Sequence, residues 1–219
     1  MQRAGGATLS EDTHPDTAVA DQERAPERRR GLMVAYFLIA AFVIGLDQLT
    51  KALAVNHLDP SEPVRLLGGL VHLSLTRNPG AAFSLATDYT WVLAIIATGV
   101  VGFLILLGRK IVYPAWAIAL GLVLGGAAGN LIDRVLRAPS VPSAWFEGGL
   151  GGFFTESNIG MGHVVDFISV FRPHGQAFPI FNLADSALVC GVILIVLLEL
   201  TGHGFSPASR RADRSEEER

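Results

Sequence analysis

The chain has 219 residues, half of them hydrophobic and only 17% charged, with a net charge of −3 and a positive mean hydropathy. A soluble domain of this length carries more charge, and no basic stripe with interleaved aromatics is present, so no nucleic-acid partner is expected. The single cysteine, Cys190, lies in an apolar run; it excludes an internal disulfide framework and a four-thiolate zinc site and reads as a small buried hydrophobe.

Residues 1–30 are rich in Ala, Asp, Glu, Arg and Pro and read as a disordered tail, closed by Arg28, Arg29 and Arg30. The apolar run 31–46 follows, extended through Asp47 and Lys51 to about residue 54. A span needs roughly 20 residues, so Asp47 and Lys51 are expected at the far end of a first membrane helix. The alternative is a cleaved signal peptide, with Ala52-Leu53-Ala54 as its ending. The long apolar stretch and the further spans argue against it. Segment 64–67, then Gly68-Gly69, then the alternating Val71-His72-Leu73-Ser74-Leu75-Thr76 predict a β-hairpin. Asn78-Pro79-Gly80 places Pro and Gly where a type II turn wants them.

Further spans are expected at about 90–107, 111–132 and 181–200. The span 111–132 carries Gly121, Gly125 and Gly129 at four-residue spacing, a smooth stripe that lets another helix approach closely. Outer loops are assigned to 55–89 and 133–180. Within the second, 138–162 is an insertion rich in Gly, Pro and Ser, with Trp145, Phe153 and Phe154 available to touch the bilayer interface. Residues 202–219 form a polar tail. Arg28–Arg30, Arg109, Lys110 and the tail arginines put both termini inside by the positive-inside rule, and the loops outside. The expected organisation is thus a 1–30 tail, a 31–201 membrane domain and a 202–219 tail.

Ionisable residues at membrane depth are costly and are functional hypotheses by default. Asp47 and Lys51 stand four apart in the favourable order for a helical ion pair, which reads first as a structural pair. Asn78 serves either the turn or a site. Asn130 and Arg134 share a helical face, while Asp133 points about 100° away from Arg134; the arginine fork has Asp133, a catalytic acid or a lipid phosphate as possible partners. His163 reads as a surface histidine. Asp166, in Val164-Val165-Asp166-Phe167, should be poorly solvated. Asp185 stands three residues after Asn182, which fits a helix-start capping signature as well as a site.

Two carboxylates close together in a poorly hydrated place share a proton. The ionised member then takes a proton from water while the protonated member hydrogen-bonds a peptide carbonyl, a hydrolysis that needs no metal, cofactor or covalent intermediate. No His-Glu-x-x-His motif occurs, and no Asp-Thr-Gly or Asp-Ser-Gly triplet. A serine–lysine dyad would need Lys51, already beside Asp47, with a serine such as Ser84 or Ser186.

Five motifs occur in order: Asp47-Gln48-Leu49-Thr50-Lys51, Asn78-Pro79-Gly80-Ala81-Ala82-Phe83, the segment 125–134 ending in Asn130-Leu131-Ile132-Asp133-Arg134, Val164-Val165-Asp166-Phe167, and Phe181-Asn182-Leu183-Ala184-Asp185. Together they resemble the lipoprotein signal peptidase (signal peptidase II) family, over roughly residues 32–200. The resemblance implies a mainly α membrane protein with four transmembrane helices, a small extracytoplasmic β-cradle and a short outer helix or loop. It implies an aspartic endopeptidase of the bacterial inner membrane that cuts diacylglyceryl-modified prolipoproteins just before the lipidated cysteine and is inhibited by globomycin. By motif position, Asp166 and Asp185 become the catalytic pair, with Asp47, Lys51, Asn78, Gly80, Asn130, Arg134 and Asn182 supporting or lining the site. The insertion departs from the family, which usually joins these motifs by a short link; the N-terminal tail is also long. The rival reading is a non-enzymatic carrier with ion- or proton-coupling carboxylates, weakened by the lack of an obvious inverted repeat.

Overall fold

The computed structural model describes residues 15–80, 90–137 and 162–205. The insertion with Trp145, Phe153 and Phe154, the Ala81-Ala82-Phe83 part of the second motif, Ser84 and most of the polar C-terminal tail lie outside the described residues. Four helices form the frame: α1 (Pro15–His57), α2 (Thr90–Gly108), α3 (Pro114–Leu136) and α4 (Leu183–Leu200). Each contains a segment long and apolar enough to cross a membrane: Arg29–His57, Trp91–Gly108, Pro114–Leu136 and Leu183–Leu200. The first helix begins earlier than the apolar pattern indicates. Its extension runs back through residues 15–30, assigned from composition to a disordered tail; Ala, Glu, Gln and Arg are strong helix formers and carry the helix outward.

The apolar spans divide into faces. In α1 the buried positions Tyr36, Ala40, Val43, Asp47 and Lys51 recur every three or four residues and face α3, while Leu38, Phe42, Leu46, Leu49 and Leu53 stay exposed on the other side. Helix α3 is the centre of the bundle, packed against α1, α2 and α4. Its glycines make this possible. A Cβ on Gly125 would stand 2.6 Å from Val43 Cβ and 2.9 Å from the Ala40 carbonyl of α1. On the opposite face, Gly191 of α4 lets that helix close on α3, where a Cβ would meet the Ala119 carbonyl at 2.8 Å. Replacing Gly125 by Val is therefore expected to separate α1 from α3 and to cost about 1–3 kcal/mol or more. Thermal melting of the detergent-purified protein checks this, with Gly99→Ala as a control because a Cβ there has nothing within 4 Å. A midpoint for Gly125→Val equal to that of the control would contradict the close approach.

Cys190, expected to be buried, is instead exposed on the outer face of α4. Apolar character places a residue inside a soluble core, but in a spanning helix it is equally at home facing outward.

Outside the spans the chain builds a three-stranded antiparallel sheet of β1 (Val64–Leu66), β2 (Val71–Asn78) and β3 (Val164–Val170), in that spatial order. The hairpin expected across Gly68-Gly69 is present, with Val64 opposite Leu73 and Leu66 opposite Val71. Among the described residues, no α-helix accompanies the sheet; two three-residue 3-10 turns, Leu67–Gly69 and Pro173–Gly175, do. Val165 and Phe167 of β3 pack with Ala54 and Leu58 at the end of α1, which seats the sheet on the bundle. A bridge between Ile168 and Phe181 then ties β3 to the chain entering α4. These two attachments bring the middle of β3 and the start of α4 together.

Candidate active site

Each charged or amide residue at this junction is aimed by its own element. Asp166 sits opposite Thr76 in the β2–β3 ladder, two residues from the end of the pairing at Asn78 and Val164. It is only 1% exposed. Asp185 lies in the first turn of α4, where Asn182 and Asp185 make a reciprocal capping box. Asn182 Oδ1 accepts from the Asp185 amide at 2.9 Å, and Asp185 Oδ2 accepts from the Asn182 amide at 3.2 Å. The helix-start reading of Asp185 is thus correct, and it does not exhaust the residue. Its other oxygen, Oδ1, accepts from Asn130 Nδ2 at 2.7 Å.

Asn182 links the two carboxylates. Its Nδ2 donates to Asp166 Oδ1 at 2.6 Å and to Asn130 Oδ1 at 3.0 Å, while its Oδ1 is engaged by the Asp185 amide. Asn78 does both jobs left open for it. Its Oδ1 accepts from the Gly80 amide at 2.9 Å, closing the turn, and its Nδ2 donates to Asp166 Oδ2 at 3.0 Å. Gly80 itself has φ +109°, a left-handed conformation that favours glycine. Burial pushes the Asp166 carboxyl up to about 6; the Asn78 hydrogen bond opposes this and the negative charge of Asp185 adds to it. The two aspartates are therefore electrostatic neighbours.

Beneath them lies a fully buried ion cluster. Lys51 Nζ stands 2.8 Å from Asp47 Oδ2, 2.8 Å from Asp133 Oδ2 and 2.9 Å from Asn130 Oδ1. The expected pair of Asp47 and Lys51 is thus one arm of a larger arrangement. Asp133, read only as one possible partner of Arg134, instead joins Lys51 and Arg137; Arg137 Nε donates to its Oδ1 at 2.7 Å. Gln48 also donates to Asp47, Asp133 and the Gly129 carbonyl, each at 3.1 Å. Gln48, Asp133 and Arg137 are contributors the sequence reading did not place in the site. The four-residue spacing of Asp133 and Arg137 was the available signal for two of them. Arg134 donates Nη1 to the Asn130 carbonyl at 3.1 Å, and its buried Nε has no partner among the described residues. His163, expected at the surface, is half-buried, and burial together with nearby Arg77 pulls its pKa down.

All nine site residues named from sequence therefore converge on one junction of α1, α3, α4 and the sheet. Among the described residues no cluster of His, Cys, Asp and Glu suits a metal ion.

Comparison with known proteins gives a consistent result. The family described as signal peptidase (SPase) II matches residues 39–201. A protein of Mycobacterium avium named lipoprotein signal peptidase is 46% identical over 203 residues, covering 92% of this chain and 97% of that one. One of the same name from Rhodococcus jostii is 45% identical, covering 91% of this chain and 88% of its own length. Among solved structures, a bacterial membrane enzyme aligns with a TM-score of 0.58 and 29% identity, covering 75% of this chain and 92% of that chain.

Proposed function

Because the chain belongs to the signal peptidase II family, and is thus a membrane protease that removes signal peptides from prolipoproteins, we propose that Asp166 and Asp185 are its water-activating pair. The observation that carries this reading is the single amide side chain of Asn182, bonded at once to the Asp166 carboxylate and to the backbone that presents Asp185. The carrier reading gains no support from the family.

The chemistry follows from the environments. Asp166 is the more enclosed acid, and burial raises its carboxyl to about 6, so it holds the shared proton in the free enzyme below that pH. Asp185, partly exposed and receiving two hydrogen bonds, is the base. It takes a proton from water as the oxygen attacks the scissile carbonyl, and Asp166 gives its proton to the developing oxyanion. Collapse of the tetrahedral intermediate returns a proton to the leaving amine and restores the pair. Asn78, Gly80 and Asn130 hold this geometry, and Arg134 adds a buried Nε with no partner among the described residues.

The substrate is a prolipoprotein already carrying diacylglyceryl on the cysteine after the cut. A site at the ends of apolar spans suits a peptide anchored by acyl chains, because the scissile bond then arrives at a fixed depth. Arg29, Arg30, Arg109 and Lys110 lie at the opposite end of the bundle, which supports an N-in, C-in orientation in the inner membrane with the site facing outward. Purified protein is expected to cleave a diacylglyceryl-modified precursor, to be inhibited by globomycin and to be indifferent to a chelator. Cleavage of the unmodified precursor at an equal rate would remove the lipid requirement, and loss of activity with the chelator would remove the metal-free mechanism.

A further inference from the structure

Two buried carboxylates outside the proposed pair each hold the backbone amide immediately before a member of it. Asp133 Oδ2 accepts from the Val165 amide at 3.2 Å, next to Asp166. Asp47 Oδ1 accepts from the Ala184 amide at 3.0 Å, next to Asp185. Both amides need such a partner. Val165 lies on β3, which among the described residues stands at the edge of the sheet beside β2. Ala184 lies in the first turn of α4, where backbone donors have no partner within the helix. A backbone amide bonded to a carboxylate fixes the main chain rather than a rotamer, and the charge strengthens the bond.

Lys51 joins the two. Its ammonium is 2.8 Å from each carboxylate, and Lys51, Asp47 and Asp133 are all 0% exposed. Asp47 and Lys51 come from α1 and Asp133 from α3, two helices already held in close contact by the α3 glycines. Gly129 leaves room for the Asp47 side chain, since a Cβ there would stand 2.7 Å from Asp47 Oδ2. The order across the junction is therefore Asp166, Val165 amide, Asp133, Lys51, Asp47, Ala184 amide, Asp185. We propose that Asp47, Lys51 and Asp133 form a strut that sets the separation of Asp166 and Asp185, each carboxylate being a positioning residue that acts through one main-chain amide. This inference rests on the reading of Asp166 and Asp185 as the catalytic pair.

Asparagine and alanine separate the strut from mere stability. At either position asparagine keeps an oxygen that accepts from the amide, and alanine keeps none. With full-length protein in detergent and a diacylglyceryl-peptide substrate, Asp133→Ala and Asp47→Ala are each expected to lower kcat about a hundredfold, as misplacement of catalytic groups by an ångström does. KM should stay within about twofold, because neither side chain binds substrate. The asparagine variants should fall between wild type and alanine. The double alanine variant should lose no more than the worse single variant, because one strut is broken once. An unchanged kcat per folded molecule in the monodisperse fraction, measured well below each melting temperature, would overturn the strut; so would multiplicative losses in the double variant. If an alanine variant does not fold, Asp133→Asn carries the test. With its oxygen turned to the Val165 amide it keeps that bond at the expense of those from Arg137 and Gln48, so melting should fall first, and a kcat loss as large as about a hundredfold there would also refute the proposal. Failure of the catalytic-pair reading looks different: Asp166→Asn or Asp185→Asn would then retain turnover whatever happens at residues 47 and 133.

Discussion

Asp166→Asn and Asp185→Asn are each expected to reduce cleavage of a diacylglyceryl-modified precursor by about 10⁴-fold or more, as loss of a group central to the chemical step does. Asparagine has the shape of aspartate but can neither take a proton from water nor give one to an oxyanion. Both variants should also lose some stability, each for its own reason. At Asp166 both oxygens already accept, from Asn182 and Asn78, so an amide nitrogen must face a donor on one side. At Asp185 one oxygen closes the capping box and the other takes the Asn130 amide, so one of those bonds is lost. A cap bond is worth about 1 kcal/mol. Melting in detergent should therefore drop modestly in both variants while turnover vanishes. Full cleavage by either one would sink the pair.

The same arrangement fixes the sign of the pH dependence. Burial raises the Asp166 carboxyl to about 6, so the free enzyme keeps its donor proton below that value and loses it above. Values of kcat/KM report the free enzyme and should fall as the pH rises through this region. In kcat the falling limb should lie higher, because a bound lipopeptide removes further water from Asp166 and favours its neutral form. Identical limbs in the two profiles would contradict the assignment of the donor to Asp166.

The spans, the hairpin and the polar residues at the junction were legible because each rests on a local rule. The apolar runs give lengths, Gly68-Gly69 gives the turn, and a charge within an apolar setting announces itself. Asn182 and Asp185 were legible twice over, since one spacing serves both a cap and a site. Gln48 was not legible. A glutamine beside an acid near a helix end has no local signature, and its three bonds reach residues far along the chain at Gly129 and Asp133. The partners of Asp133 were not legible for a related reason. Divergence of adjacent helical residues already spoke against Arg134, but it names no other partner, and the partners are Arg137 one turn on and Lys51 on another helix. Cys190 failed because a membrane reverses the inference from apolar context to burial.

Lys51→Met is expected to be among the most destabilising single changes in the chain. Methionine fills much the same volume but brings no charge. Asp47 and Asp133, both 0% exposed, would then face each other without the ammonium that stands 2.8 Å from each. Removing one partner of a buried ion pair typically costs about 3–5 kcal/mol, chiefly because the remaining charge has no solvent to retreat to. Gln48 and Arg137 soften the loss for Asp133, since both still donate to it. Among the described residues, Asp47 keeps only Gln48 and the Ala184 amide. Adding Asp47→Asn to Lys51→Met should therefore recover more stability than adding Asp133→Asn, because it removes the less compensated charge. Thermal melting of the three variants at one pH checks the order. Equal melting of Lys51→Met and wild type would mean that the carboxylates take up protons when the ammonium is gone. In that case the difference should reappear as the pH is raised, because keeping those protons becomes progressively harder.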